Sequence, residues 1–196
     1  MKDNLIIKEL SDLTRLPEIY ALTHDTFVES GLILPKKNGM LNLYPHLNKI
    51  KETAVIIAEF NGKIIATNSA TIDGEKGLHT DVYFKSETDE YRKTHKNLGS
   101  SWRIATDKAH RRDIRIIMNL IKYSLLVGEK MGMETCLFIF EKRHERIYKK
   151  LIGAETIAEK VCDIEGFIEH KMHMVLMVAA VGAVKKKLAK TTAKKG

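Results

Sequence analysis

Disulfide chemistry has little to work with in this chain, which holds two cysteines, Cys136 and Cys162, neither in a CxxC pair. A disulfide framework is not expected, and Cys136, inside an apolar run, reads as a small core hydrophobe. Metal-ligand spacing is equally scarce. His170 and His173 stand three apart in a predicted strand and so point to opposite faces. No other His, Cys, Asp or Glu grouping has a ligand spacing, so no metal is expected. Long hydrophobic runs are missing as well. The longest, over 174–184, is too short to span a bilayer. Residues 1–10 (MKDNLIIKEL) lack the apolar core and small-residue cleavage site of a secretory signal, which makes cytoplasmic residence the expectation.

A basic body is also absent, despite a formal charge of +8. Residues 185–196 hold six lysines and no acid; the remainder balances 27 basic residues against 25 acidic ones. Net charge therefore gives no ground for nucleic-acid binding, and any anion site must rest on local clusters. The Lys-rich end reads as a frayed, solvated tail, with weak contact to a membrane surface as the alternative use.

What is present is the composition of one soluble domain over 1–184, 44% hydrophobic and 30% charged, expected as a monomer. A first strand over 5–10 leads into a helix punctuated by Pro17 and ended by Gly31. Pro35, Asn38-Gly39 and Pro45 make 32–52 a long loop, a length more often functional than idle. Two β-rich runs, 54–60 and 63–72, flank Asn61-Gly62 as a tight hairpin, and continuous apolarity in VIIA marks a central strand. A charged helical segment then runs to Leu98 and closes at Gly99. Residues 100–106 read as strand, 107–112 as turn and 113–130 as helix. In that helix Ile114, Ile117, Met118, Ile121 and Leu125 form a stripe at helical spacing. A buried strand (135–140), a short helix (143–152) and two strands (155–161 and 171–178) complete the order. Strands alternating with helices around a hairpin predict an α/β fold on a mixed sheet.

The turn His110-Arg111-Arg112-Asp113-Ile114-Arg115 opens the long helix. Unpaired N–H groups and the positive end of the macrodipole favour anions there, and arginine forks suit phosphate. A second basic cluster, Lys142, Arg143, Arg146, Lys149 and Lys150, is partly balanced by Glu141 and Glu145. Six methionines, at 118, 131, 133, 172, 174 and 177, suit either core packing or a channel for a fatty chain.

The stretch over 100–154 resembles the core of the GNAT acyltransferase superfamily, in which a strand leads to a pyrophosphate-binding loop and helix. The usual loop pattern is Gln/Arg-x-x-Gly-x-Gly/Ala; here His110, Asp113 and Arg115 stand at the matching positions, so both glycines are lost. SWRIATDKAHRR is similar to the E-x-x-R-L-A-V strand and turn of long-chain N-acyl amino acid synthases, relatives of the acyl-homoserine-lactone synthases. RHERIYKKLIGAETI resembles their H-x-x-F-Y-R-R-L-G-F helix, and IYALTHDTFVESG their Y-x-L-R-x-x-V-F-x-x-E-x-G helix.

That resemblance implies a GNAT-like, mostly antiparallel sheet flanked by helices and splayed between its fourth and fifth strands. It implies an N-acyltransferase that moves a medium or long acyl chain to the α-amine of an amino acid, an aromatic one such as tyrosine. The donor would be the 4′-phosphopantetheine thioester of acyl carrier protein, or acyl-CoA, with no tightly bound cofactor. Tyr148 stands at the tyrosine that protonates the departing thiolate. Ser100 replaces a glutamate favoured as general base, for which Asp81, Glu59 and Glu29 are substitutes. Arg103 stands at the arginine of the fourth strand and should meet an acid or a substrate carboxylate. His110, Arg111, Arg112 and Arg115 would hold the phosphate, with Phe27, Glu29, Asp81, Phe84, Trp102 and Ile104 as substrate contacts. Three alternatives stay open: an acetyl-CoA acetyltransferase, an autoinducer synthase using S-adenosylmethionine, and an inactive lipid- or carrier-binding domain.

Overall fold

The fold was determined as a computed structural model that describes residues 5–193. The chain runs β1 (Leu5–Glu9), α1 (Leu16–Glu29), β2 (Thr53–Phe60), β3 (Lys63–Ile72), α2 (Asp81–Thr94), β4 (Leu98–Thr106) and α3 (Ile114–Lys130). It continues through β5 (Thr135–Glu141), α4 (Glu145–Ile152), β6 (Glu155–Asp163), β7 (Lys171–Ala180) and α5 (Val181–Ala193). The strands form one sheet in the order β1-β2-β3-β4-β5-β7-β6, antiparallel everywhere except between β4 and β5.

The hairpin forms where Asn61-Gly62 predicts it, with φ of 49° and 83°, the paired left-handed residues that match strand twist. Val55, Ile56, Ile57 and Ala58 are buried because β2 has a strand on each side and helices on both faces. The loop over 32–52 contains only a 3-10 turn, Pro45–Leu47, and is pinned rather than slack. Leu41 N–H donates to the Tyr20 carbonyl at 3.0 Å, and Lys36 N–H to His24 Nε2 at 3.0 Å.

Three expectations need correcting. Helix α2 stops at Thr94, and Gly99 lies inside β4 instead of closing a helix. A Cβ at Gly99 would sit 2.8 Å from the Thr71 carbonyl oxygen, so glycine serves close strand approach there. In α3 the buried positions are Ile116, Leu120, Val127 and Gly128, while Ile114 is more than half exposed. The helix is apolar over more than one face, and the sheet takes the Ile116 side. The Lys-rich end is not a frayed tail from 185 onward, because α5 continues to Ala193. Val181, Val184 and Leu188 recur at helical spacing and pack into the main core, where their burial outweighs lysine crowding.

Helices α3, α4 and α5 cover one face of the sheet; α1, α2 and the 32–52 loop cover the other. The parallel pair is short. Leu98, Gly99 and Ser100 pair with Thr135, Cys136 and Leu137, and nothing pairs beyond, although β4 runs to Thr106 and β5 to Glu141. The sheet therefore opens into a V toward the C-terminal ends of both strands.

Candidate active site

A bulge shapes the wall of this V. Ser69 pairs with Trp102 and Thr67 with Ala105, so Arg103 and Ile104 together oppose Asn68. The extra residue is Arg103, whose φ of 56° is left-handed and unusual for a side-chain-bearing residue within a buried strand. The bulge takes main-chain groups out of the ladder. It also turns Trp102 and Arg103 to the same face, the one under α1 and the 32–52 loop, and leaves Ile104 facing α3.

A cavity of about 800 Å³ runs through the splay and reaches both faces. On the loop face its wall is polar and aromatic, with Tyr44, His46, His79, Tyr83, Trp102 and Arg103. On the helix face it is apolar, with Ile121, Leu125, Met133, Cys136, Phe138 and Val184. Toward α3 the wall also carries a polar girdle. Asn68 Nδ2 donates to Ser124 Oγ at 2.8 Å and to Ser101 Oγ at 2.9 Å, and Ser101 Oγ donates back to Asn68 Oδ1 at 3.0 Å.

Arg103 is the dominant charge in the polar arm. It is 4% exposed and donates to Asn48 Oδ1 and Ser69 Oγ, each at 2.7 Å. Its guanidinium lies 4.6 Å from the Trp102 ring, within cation–π range. Its Nε has no partner, and no carboxylate among the described residues pairs with it. Burial pushes its pKa down to about 10, which leaves it cationic at neutral pH. A buried, hydrogen-bonded cation without a counter-ion is costly unless a ligand supplies one. Above it, Tyr44 meets Trp102 edge-on at 5.4 Å and His79 at 5.3 Å. Burial holds His79 down to about 3, so this imidazole stays neutral, and its Nδ1 has no partner.

Tyr148 projects from α4 into the same cavity and stacks on Phe140 at 3.7 Å between ring centroids. Burial raises its phenol to about 12, so it keeps its proton at neutral pH.

Of the residues expected to carry catalysis, phosphate binding or substrate contact, the structure brings Tyr148, Arg103, Trp102, Ile104 and Phe27 to the cavity wall. The others stand apart from it. Ser100 is fully buried with an unpartnered hydroxyl and does not line the cavity. Asp81 accepts from Arg92 and from Leu78 N–H, and Glu59 pairs with Lys8 and Arg15. Phe84 is buried in the α2 core, with Lys160 4.6 Å above its ring. Glu29 pairs with Arg111. The carboxylates and imidazoles on the wall are Glu141, Glu165, His46, His79 and His144.

At the turn before α3, Asp113 caps the helix by accepting Arg115 N–H at 3.0 Å and also binds the Arg115 guanidinium at 2.7 Å. His110 bonds to Asp107 at 2.6 Å. Arg112 is left with no ion-pair partner among the described residues. Met133, Met172 and Met174 line the cavity, whereas Met118, Met131 and Met177 pack in the core.

Sequence reasoning missed Tyr44, Asn48, His79 and the Asn68 girdle. Only the length of the 32–52 loop signalled any of them, since Tyr44 and Asn48 come from it.

Residues 18–178 match the family model described as N-acyl amino acid synthase FeeM. The structure of FeeM, an N-acyl amino acid synthase from uncultured soil microbes, superposes with a TM-score of 0.77 at 13% identity over 95% of each chain. An acetyltransferase of the GNAT family from Streptococcus pneumoniae gives 0.62 at 14% identity, over 90% of this chain and 99% of that one. The AHL synthase LasI gives 0.59 at 10% identity, over 89% and 90%. A search of curated proteins finds no significant match. At such identities the structures speak for the fold, and the family model speaks for the sequence. A splayed β4–β5 pair, a bulged β4 and a tyrosine on α4 are thus set in a GNAT fold, and the chain belongs to the N-acyl amino acid synthase FeeM family of N-acyltransferases.

Proposed function

We propose that the protein moves a medium or long acyl chain from the phosphopantetheine of acyl carrier protein to the α-amine of an amino acid. The observation that carries this reading is Arg103, a buried cation with no acid partner on the wall of a cavity whose far arm is apolar. An amino acid's carboxylate supplies the missing counter-ion, and the aromatic ring of an acceptor such as tyrosine suits the box of Tyr44, His79 and Trp102. The acyl chain takes the apolar arm. The pantetheine, an amide-bearing chain, lies along the unpaired edge of β4 in the splay.

In this reading the neutral amine attacks the thioester carbonyl, the C–N bond forms and the C–S bond breaks. The oxyanion would be met by main-chain N–H groups of β4 beyond Ser100, which have no partner on the β5 side. Tyr148 donates its phenolic hydrogen bond to the leaving sulfur. The ammonium proton leaves through water to a wall group among Glu141, Glu165, His46 and His144.

Asn48→Asp tests whether the charge of Arg103 is reserved for a ligand. A carboxylate 2.7 Å from Nη1 neutralises the site from within. Thermal stability is expected to rise, while the acceptor KM rises about tenfold, the scale of one charged hydrogen bond. An unchanged KM contradicts the assignment.

The donor reading rests on topology. The turn bearing Arg112 and the segment bearing Arg146 and Lys150 follow the C-terminal ends of the two parallel strands, so they flank one mouth of the splay. None of these three has an ion-pair partner among the described residues. An acidic carrier protein fits that rim by complementary potential. Arg112→Glu should cut turnover with acyl carrier protein severalfold, and cut it less at high salt, while sparing a short acyl-pantetheine thioester. Mass spectrometry of organic extracts from an expressing host tests the reaction itself. N-acyl amino acids should accumulate; an extract without them above background sinks the proposal.

A further inference from the structure

We infer that α5 is the stop that sets acyl chain length, a specificity element made by a helix beyond the family-matched residues 18–178. The inference rests on the apolar arm holding the acyl chain, as proposed above.

The course of the arm is fixed by alternate residues of β5. Tyr148 and Phe140 stand at the splay; Phe138 and then Cys136 follow on the same helix-side face, moving toward the paired end of the strand. Phe140 to Cys136 is four residues, about 13 Å of strand, a run suited to a medium-length alkyl chain. At the inner end Cys136 pairs with Ala179, and two residues later α5 begins. Val181 and Val184 line the cavity there, opposite Gly128 and Met133. All are small or flexible. A Cβ at Gly128 would already touch Met133 Sδ at 3.4 Å, so little room remains between the two on the α3 side.

Helix α5 is held firmly enough to act as a wall. Val181, Val184 and Leu188 are each at most 4% exposed, and Lys185 on the outer face bonds Glu129 of α3 at 2.8 Å. Lys187 Nζ donates to the Lys149 carbonyl at the end of α4. The side chain at 184 thereby determines how much room remains beyond Cys136.

The test uses two full-length variants of opposite sign, Val184→Phe and Val184→Ala. Turnover is read on acyl thioesters from hexanoyl to hexadecanoyl, and affinity by displacement of a fluorescent fatty acid by fatty acids of the same lengths. Val184→Phe should lower the ratio of long- to short-chain turnover by about fourfold for each methylene excluded, and displacement should shift alike. Val184→Ala should move the preferred length upward. Chain-length profiles in Val184→Ala that coincide with wild type overturn the inference, even if Val184→Phe fails to fold. If wild type binds chains with a length optimum that both variants shift but acylates no amino acid, the proposed reaction fails and the stop stands. If wild type binds no chain, both fail.

Discussion

Arg103→Met is expected to raise the acceptor KM by about two to three orders of magnitude while leaving the protein at least as stable as wild type. The two halves have one cause. A guanidinium 4% exposed, with Nε unpartnered and only Asn48 and Ser69 as neutral acceptors, is held below its ordinary pKa by burial. The drop from 12.5 to about 10 corresponds to about 3 kcal/mol disfavouring the charged form in the fold. For a base with a depressed folded pKa, that cost is present throughout the range below about 10 and is relieved only as pH rises through the shifted value. At neutral pH it is fully present, so an apolar residue of similar length removes it. Apolar replacement of buried charges is often neutral or stabilising, whereas parting a buried charge from its partner costs about 3–5 kcal/mol. The same change thus favours the fold and, on the proposed reading, removes the anchor of the acceptor carboxylate. Steady-state kinetics with varied amino acid, beside a thermal melt, read both halves. A destabilised variant with normal KM would assign Arg103 a structural role.

Tyr148→Phe should lower kcat about 10- to 100-fold and leave both KM values within about twofold. The stack on Phe140 is nearly parallel, at 9°, and phenylalanine preserves it, so only the hydroxyl is lost. With the phenol raised to about 12 and an ordinary thiol near 8.5, full proton transfer to the thiolate is uphill by more than three units. In the proposed reaction Tyr148 therefore acts on the leaving sulfur mainly as a hydrogen-bond donor. A hydrogen bond to a charged group is worth about 1.5–3 kcal/mol, hence the predicted loss, smaller than that of a full general acid. An aryl thioester, whose thiolate needs less help, should be less affected; equal losses with both leaving groups would contradict the role.

How much of this was legible in sequence depends on whether a feature is local. Asn61-Gly62 fixes its hairpin through two consecutive φ values, and the β4–α3–β5–α4 order follows from patterning and from motifs within one stretch. Tyr148 and Arg103 were singled out because they stand at motif positions, and both line the cavity. The pocket itself was not legible. Tyr44 on its wall and Asn48, which holds Arg103, come more than 50 residues before Trp102 and Arg103, and only the folded loop brings them together. Charge spacing did not show that Arg111 and Arg115 pair with Glu29 and Asp113, and Glu29 is 82 residues away in sequence. Ser100 was singled out by alignment with a glutamate, yet the strand places it where no solvent or cavity reaches. The lysines from 185 onward hid that Leu188 extends the Val181 and Val184 stripe, and a small stripe suffices when a core face awaits it.

The most direct measurement compares acylation of an amino acid with that of its descarboxy amine, in wild type and in Arg103→Met, with one acyl carrier protein donor. Wild type is predicted to prefer the amino acid by about two to three orders of magnitude in kcat/KM, and the variant to lose that preference. Equal use of the two acceptors by wild type, or a preference that survives the loss of Arg103, would contradict the reading of this site as one built for an amino acid's carboxylate.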